Sequence, residues 1–159
     1  MRGYEFNVYL RFQQVVTMFP DHPALVTNDG ANVDYRSLNS MVDRFTSGLM
    51  DSGIESGRPV AVLHDKSVAC FALILAALRL GIPYSCLDIE NPASRIVDIV
   101  DRLNCKFVLG PDHLLSLLRV KVLDLNPDIV SLEYLATSAP QKIERPLPIV
   151  TGDRLAYVM

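Results

Sequence analysis

Two strand ends are the first places where this sequence could do chemistry. His64 and Asp65 close the apolar run "PVAVLHD", and Asp88 closes "YSCLD". A histidine beside a carboxylate is the raw material of acid–base catalysis. A carboxylate at the carboxyl end of a strand, just ahead of a helix, sits where open α/β sheets gather ligands and where the helix dipole favours negative charge. Neighbours on a strand point to opposite faces, so His64 and Asp65 are not expected to meet as a dyad. For Asp88 the competing reading is a turn or cap role. His22, ahead of Pro23, and His113, at a helix start, have no companions nearby in the sequence.

The other candidates are weaker. Cys70, Cys86 and Cys105 are an odd number at wide spacing, each in apolar surroundings ("VACFAL", "YSCLDI", "NCKFVL") and none beside a histidine or other base. They read as buried reduced thiols of a cytosolic protein rather than as disulfides, a zinc site or a nucleophile. The eight glycines are scattered, with no "GxxxxGK" and no "GxGxxG". "SGIESG", with Gly53 and Gly57, leads from a helix into a strand, whereas phosphate loops lead from a strand into a helix. No metal-ligand spacing occurs. On the residues alone, the chain is a scaffold without visible catalytic equipment.

Composition narrows the classes. The 159 residues suit one domain, half of them are hydrophobic and 21% are charged, which argues against disorder. The net charge is −3, with no basic cluster, so a nucleic-acid partner is not expected. The longest apolar run, Val68 to Leu78, is far short of the about 20 residues that span a bilayer, so no membrane partner is expected either. "MRGYEFNVYLRF" lacks the apolar core of a signal peptide.

The elements that must position these residues follow from periodicity. "VYLRFQQVVTMFP" has Val8, Phe12, Val15, Val16 and Phe19 at helical spacing, and Pro20 stops it. "PALVT" and "NVDY" around "NDG" read as a β-hairpin. "SLNSMVDRFTSGLMDSG" is an amphipathic helix with Leu38, Met41, Val42, Phe45 and Leu49 on one face and Gly53 as its cap. From Arg58 strands and helices alternate. Strands are expected near Val60–His64, Tyr84–Leu87, Lys106–Leu109 and Lys121–Leu125 in one largely parallel sheet. Helices are expected at Val68–Leu80, at Pro92–Leu103 with Asn91 as its cap, and at "PDHLLSLLR". The helices belong on both faces of the sheet. A short helical turn is expected around Ile129 to Leu135, then a proline-bearing loop, and then an apolar strand beginning at Leu155 and running to Met159. The fold class is α/β: a largely parallel sheet flanked by helices on both faces, preceded by an N-terminal helix and a β-hairpin.

At this point the chain resembles a known family. "FPDHPALVTNDGANVDYRSLN" is similar to the opening "P-x-x-x-A-[LV]…[LV]-[ST]-Y-x-x-L-N" of nonribosomal peptide synthetase adenylation domains, members of the AMP-forming acyl- and aryl-CoA ligase superfamily. "ALRLGIPYSCLDIENPASRIVDIVDRLNCKFVL" is similar to their second core motif, "L-K-A-G-x-A-Y-[VL]-P-L-D", and its "P-x-x-R" helix. Leu78, Gly81, Pro83, Tyr84, Leu87, Asp88, Pro92 and Arg95 carry the match. Ser85-Cys86 stands where the family usually has Val-Pro, and Val33-Asp34 replaces Leu-Thr.

The resemblance implies that residues 1–159 are one partial domain, the N-terminal subdomain of an adenylation domain, ending before the family's Ser/Thr/Gly-rich phosphate loop. The full-length family activates an amino acid or another carboxylic acid with ATP and Mg²⁺ as the acyl-AMP and passes it to a carrier protein, in secondary metabolite biosynthesis. No catalytic, cofactor-binding or metal-ligating residue is assigned to this chain, which alone is expected to be inactive and to need no cofactor of its own. Expected partners are the remainder of the adenylation domain, a carrier protein or other synthetase domains, with self-association through the apolar end. The expected location is cytoplasmic. The alternative is a naturally truncated non-catalytic module that binds a partner protein or the other half of a split enzyme.

Overall fold

Asn7 opens the first helix, α1 (Val8–Met18), because its side chain accepts the Tyr9 N–H at 2.9 Å and so satisfies an otherwise orphaned donor. The same side chain donates to the Leu78 carbonyl at 3.0 Å, which fixes where the helix lands. This landing sets the helix phase. Tyr9 turns inward, 2% exposed, and Val8 outward, 61% exposed. The expected stripe is corrected accordingly: Phe12 packs on the core, while Val8 and Phe19 face out. The computed structural model describes residues 7–27, 30–122, 127–139 and 155–158.

The hairpin is as expected: β1 (Pro23–Val26) pairs antiparallel with β2 (Asn32–Asp34) across an irregular register. Asn28 and Asp29 of its turn lie outside the described residues. Asp34 then caps α2 (Tyr35–Asp51) by accepting the Ser37 N–H at 2.7 Å. Leu38, Val42, Phe45 and Leu49 form its buried stripe. α2 lies across α3 (Val68–Arg79), and the two are joined by an ion pair between Asp43 and Arg79. The Tyr9 ring packs 5.0 Å from the Arg79 guanidinium. Burial, offset in part by that cation, pushes the Tyr9 hydroxyl up to about 12. Asn39 continues the polar chain, donating to Asp43 and accepting from Gln13 of α1.

Strand β3 (Val60–Leu63) lies between β4 (Tyr84–Leu87) and β5 (Phe107–Gly110), and β6 (Asp128–Ser131) lies beyond β5, all parallel. Helices cover both faces. Val60, Val62, Leu109 and Val130 share a core with α1, α2, α3 and α6 (Leu132–Thr137). Ala61, Leu63, Leu87 and Val108 share the other core with α4 (Ala93–Arg102) and α5 (Asp112–Lys121). Among the described residues no helix is long and apolar enough to cross a membrane.

The expected strand at Lys121–Leu125 is corrected at its start only. Lys121 belongs to α5, whose leucines at 114, 115 and 118 are all buried, and Val122 N–H closes the helix on Leu118 C=O at 2.8 Å. Residues 123–126 lie outside the described residues. The fourth strand is β6, in register from Phe107↔Asp128 to Gly110↔Ser131, where a helical turn was expected to begin. The helix starts only at Leu132, capped by Ser131, whose hydroxyl accepts the Tyr134 N–H at 3.1 Å. At α4, Asn91 does not cap: Pro92 holds the N-cap position, with no side-chain cap bond.

The end of the chain forms one parallel bridge to β4. Tyr84 N–H donates to Ala156 C=O at 3.1 Å, Val158 N–H donates to Tyr84 C=O at 3.0 Å, and the Tyr84 and Tyr157 rings lie 5.1 Å apart. This segment lies outside the sheet core, at the free edge of β4, with Leu155 64% and Tyr157 45% exposed.

Two predictions follow from this packing. A Cβ at Gly110 would sit 2.9 Å from Leu63 Cβ and 3.1 Å from Leu63 O, both fixed by the central strand. Gly110→Ala should therefore lower the free energy of unfolding by about 1–3 kcal/mol in urea titrations, the usual range for overpacking. An exposed apolar edge seeks a partner, so light scattering should find concentration-dependent self-association that Tyr157→Lys weakens. A monomer at all concentrations would refute the second expectation.

Candidate functional site

In this sheet the chain leaves β3 for β4 on one side and for β5 and β6 on the other. The strand order thus reverses between β3 and β5, and a crevice opens at their carboxyl ends, the place where open α/β sheets bind ligands. The loops there are His64–Ser67, between β3 and α3, and Pro111, between β5 and α5. A cavity of about 220 Å³ lies beside them, between Leu25–Thr27 of the hairpin side and Asp65–Val68 with Phe71.

His64 and Asp65 both stand at this crevice, in the loop just past β3, and make separate contacts. His64 Nδ1 accepts the Lys66 N–H at 2.7 Å, and its ring meets Phe71 edge-on at 5.2 Å. Lys66 takes a left-handed φ of +63° to make this turn, a conformation that a side chain disfavours. Burial, with a smaller push from the Lys66 charge, lowers the His64 pKa against the pull of Asp65. Asp65 Oδ1 accepts the Ser67 N–H at 2.9 Å. Burial alone would raise the Asp65 carboxyl, but hydrogen bonds from Ser67, with smaller help from Cys70 and His113, hold it below the usual carboxylate value.

The structure brings in one residue that had no companion in the sequence. His113, in the first turn of α5, places Nε2 3.9 Å from Asp65 Oδ2. The signal was not local: the two meet only because β5 lies beside β3. Asp88 stands apart, at the end of β4, and accepts the Glu90 N–H at 2.9 Å, the turn role. His22 packs its ring on Phe19 at 5.2 Å. All three cysteines are free. Burial raises Cys70 and Cys105 to about 11 and raises the half-buried Cys86 as well, so none is a thiolate nucleophile near neutral pH. Gly53 and Gly57 lie in the connection from α2 to β3, both with positive φ, as connector residues.

Three N–H groups at the start of α3 already have acceptors: Lys66 N–H in His64, Ser67 N–H in Asp65, and Cys70 N–H in the Ser67 hydroxyl at 3.3 Å. The Asp65 carboxylate adds negative charge beside them. Among the described residues no three acidic, histidine or cysteine side chains converge as a metal site. What the crevice does well is hold two loops in fixed shape.

The family model for AMP-binding enzymes matches residues 12–159. Tyrocidine synthase 3 of Brevibacillus parabrevis is 30% identical over 148 residues, covering 93% of this chain and 2% of that protein. Nonribosomal peptide synthetase 2 of Gibberella zeae is 28% identical over 157 residues, covering 93% of this chain and 3% of that protein. The chain thus spans a few hundredths of the length of these curated relatives. Among solved structures, the Klebsiella oxytoca NpsA N-terminal subdomain in complex with 3-hydroxybenzoyl-AMSN superposes with a TM-score of 0.81 at 18% identity, over 95% of this chain and 36% of that one. The fused NpsA-ThdA adenylation-PCP di-domain gives a TM-score of 0.84 at 18% identity, over 97% of this chain and 28% of that one. At that identity the likeness is one of fold.

The two loop residues should show themselves separately in the pH dependence of stability. His64 has a folded pKa below its unfolded value, so its contribution is full above about 6.5 and fades as the pH falls from there through the folded pKa. Asp65, also depressed, contributes above its unfolded value of about 3.9 and loses that contribution as the pH falls through its folded pKa. Urea unfolding from pH 8 to pH 3 should show His64→Gln flattening the upper window only. Asp65→Asn should be less stable than the parent at pH 7, with the gap closing only below about pH 4.

Proposed function

We propose, from the premise that the chain belongs to the AMP-binding enzyme family, that residues 1–159 are the N-terminal scaffold part of an adenylation enzyme. That enzyme activates an amino acid, or another carboxylic acid, with ATP as the acyl-AMP and delivers the acyl group to a carrier protein. In this reading the 159 residues form one partial domain, and the groups that grip ATP and Mg²⁺ belong to the rest of the enzyme. The observation that carries it is the family match across residues 12–159, together with a strand order and helix placement that superpose on an adenylation N-terminal subdomain over nearly the whole chain.

The strand ends of this chain support a scaffolding role. His64, Asp65, Ser67 and Asp88 spend their hydrogen-bonding groups on the loops they stand in. Rigid loops at the carboxyl end of a sheet are what a neighbouring catalytic loop needs to hold a carboxylate in line with a phosphate. No step of the reaction is placed on residues of this chain. The carrier protein enters as a partner of the complete enzyme, in keeping with solved relatives described as containing adenylation and PCP domains. A second reading, a non-catalytic module that binds a partner, rests on the exposed Leu155 and Tyr157 at the β4 edge.

The test is ATP–pyrophosphate exchange on two proteins. The isolated chain should show no exchange above a no-enzyme blank with any common amino acid. A chimera in which residues 12–159 replace the matching stretch of tyrocidine synthase 3, 30% identical over 148 residues, should retain exchange. Exchange by the isolated chain, or a folded chimera with none, would overturn the reading; a folded, silent chimera would favour the binding module.

A further inference from the structure

At the opposite pole of the sheet, where β3 and β5 begin, lies a cavity of about 410 Å³. Its size falls in the range of about 300–1,000 Å³ that small-molecule sites occupy. Two connections of the same kind build it. The one from α2 into β3 contributes Gly53, Glu55, Arg58 and Pro59; the one from α4 into β5 contributes Asn104, Lys106 and Phe107. Each leaves its helix through a left-handed residue, Gly53 at φ +71° and Asn104 at φ +49°. Asn104 N–H donates to Asp101 C=O and Cys105 N–H to Val100 C=O, both at 3.0 Å, and Gly53 N–H donates to Met50 C=O at 3.2 Å. These bonds turn the last helical carbonyls back into the helices, which mutes the negative dipole ends at the cavity.

The lining that remains combines two apolar residues, Pro59 and Phe107, with two cations, and the Lys106 ammonium stands 5.4 Å from the Phe107 ring centroid. Arg58 is the second cation. Their ion pairs among the described residues are long and exposed, Arg58 to Glu55 at 3.7 Å and Lys106 to Asp128 at 3.6 Å, and a bound anion can replace them at little cost. Of the charged lining residues two are positive and one, Glu55, is negative. A cavity above an open left-handed turn also has room to fill, since a Cβ at Gly53 would meet nothing within 4 Å.

We propose that this cavity binds a small planar aromatic anion, its ring against Pro59 and Phe107 and its negative group between Arg58 and Lys106. The site lies at the amino ends of the strands, away from the crevice at their carboxyl ends, so it is separate from the chemistry proposed above and does not depend on that reading. Stacking supplies the preference for a ring, and the charge-assisted hydrogen bonds of the guanidinium and ammonium supply the preference for an anion. Carboxylate and phosphate share that chemistry.

The experiment is a ¹H–¹⁵N NMR titration of the 159-residue chain with phenyl phosphate, benzoate, inorganic phosphate and benzyl alcohol. Phenyl phosphate or benzoate should give saturable shifts centred on the Gly53, Asn104, Lys106 and Phe107 amides, with Kd in the millimolar range or tighter. Inorganic phosphate and benzyl alcohol should bind at least about tenfold more weakly, each lacking one half of the recognition. The Arg58→Gln/Lys106→Gln double variant, changed only at exposed side chains, should keep the parent spectrum elsewhere and weaken binding about tenfold. Phe107→Leu should weaken the aromatic probes and leave the response to inorganic phosphate unchanged. No saturable shifts at these amides, equal affinity for inorganic phosphate, or undiminished binding by the double variant would each overturn the proposal.

Discussion

All four residues of β3 are withdrawn from water, on both faces of the strand. That single constraint organises the molecule. A strand that is apolar on both sides must find a strand on each edge and a helical layer on each face, because its backbone groups and its side chains all have to be satisfied without solvent. Val60 and Val62 call for the layer of α2 and α3; Ala61 and Leu63 call for the layer of α4 and α5. At the end of β5, Gly110 comes so close to Leu63 that a Cβ there would sit 2.9 Å from Leu63 Cβ, an approach that a residue with a side chain could not make without a shift.

The polar chain at α1 solves a different problem. α1 buries little apart from Tyr9, and it is held by Asn7 on the Leu78 carbonyl, Tyr9 on the Arg79 guanidinium and Gln13 on Asn39. Arg79 is anchored in turn by Asp43, although its Nε is buried without a partner in the described structure. Such contacts fix orientation better than they add stability, since a half-buried ion pair spends much of its attraction on desolvation. The hydrophobic layers keep the sheet dry, and the polar chain decides where the first helix lies on them.

Much of this was legible in the sequence, for reasons that can be located. "PVAVL", "YSCL" and "KFVL" are apolar runs too short for helices and bounded by turn residues, and each is a strand. The alternating rhythm, read with the two family motifs, implied their parallel pairing. The strand at "DIVS" was missed because so short an apolar stretch fits a helical turn as well, and only tertiary packing decides that Lys121 continues a helix while Asp128 lines up with Phe107. Val8 and Tyr9 were exchanged because the cap at Asn7 sets the helix phase, a contact with Leu78 at a distance in sequence. At the crevice, the strand-end positions of His64, Asp65 and Asp88 were readable. The meeting of Asp65 with His113 was not, since it depends on strand order.

The left-handed stops at Gly81 and Asn104 carry a consequence for how such a chain can vary in length. After α3, Gly81 N–H donates to Leu78 C=O and Ile82 N–H to Ala77 C=O, and Asn104 and Cys105 repeat the pattern after α4. From each stop only two residues lead into the next strand, β4 at Tyr84 and β5 at Phe107. Inserting or deleting one residue there would rotate every side chain of the following strand to the wrong face, because strands repeat every two residues. Gains and losses of residues should therefore be excluded from these helix-to-strand junctions. The hairpin tip around Gly30, where a Cβ would meet open space, lies outside both cores and is free to lengthen or shorten.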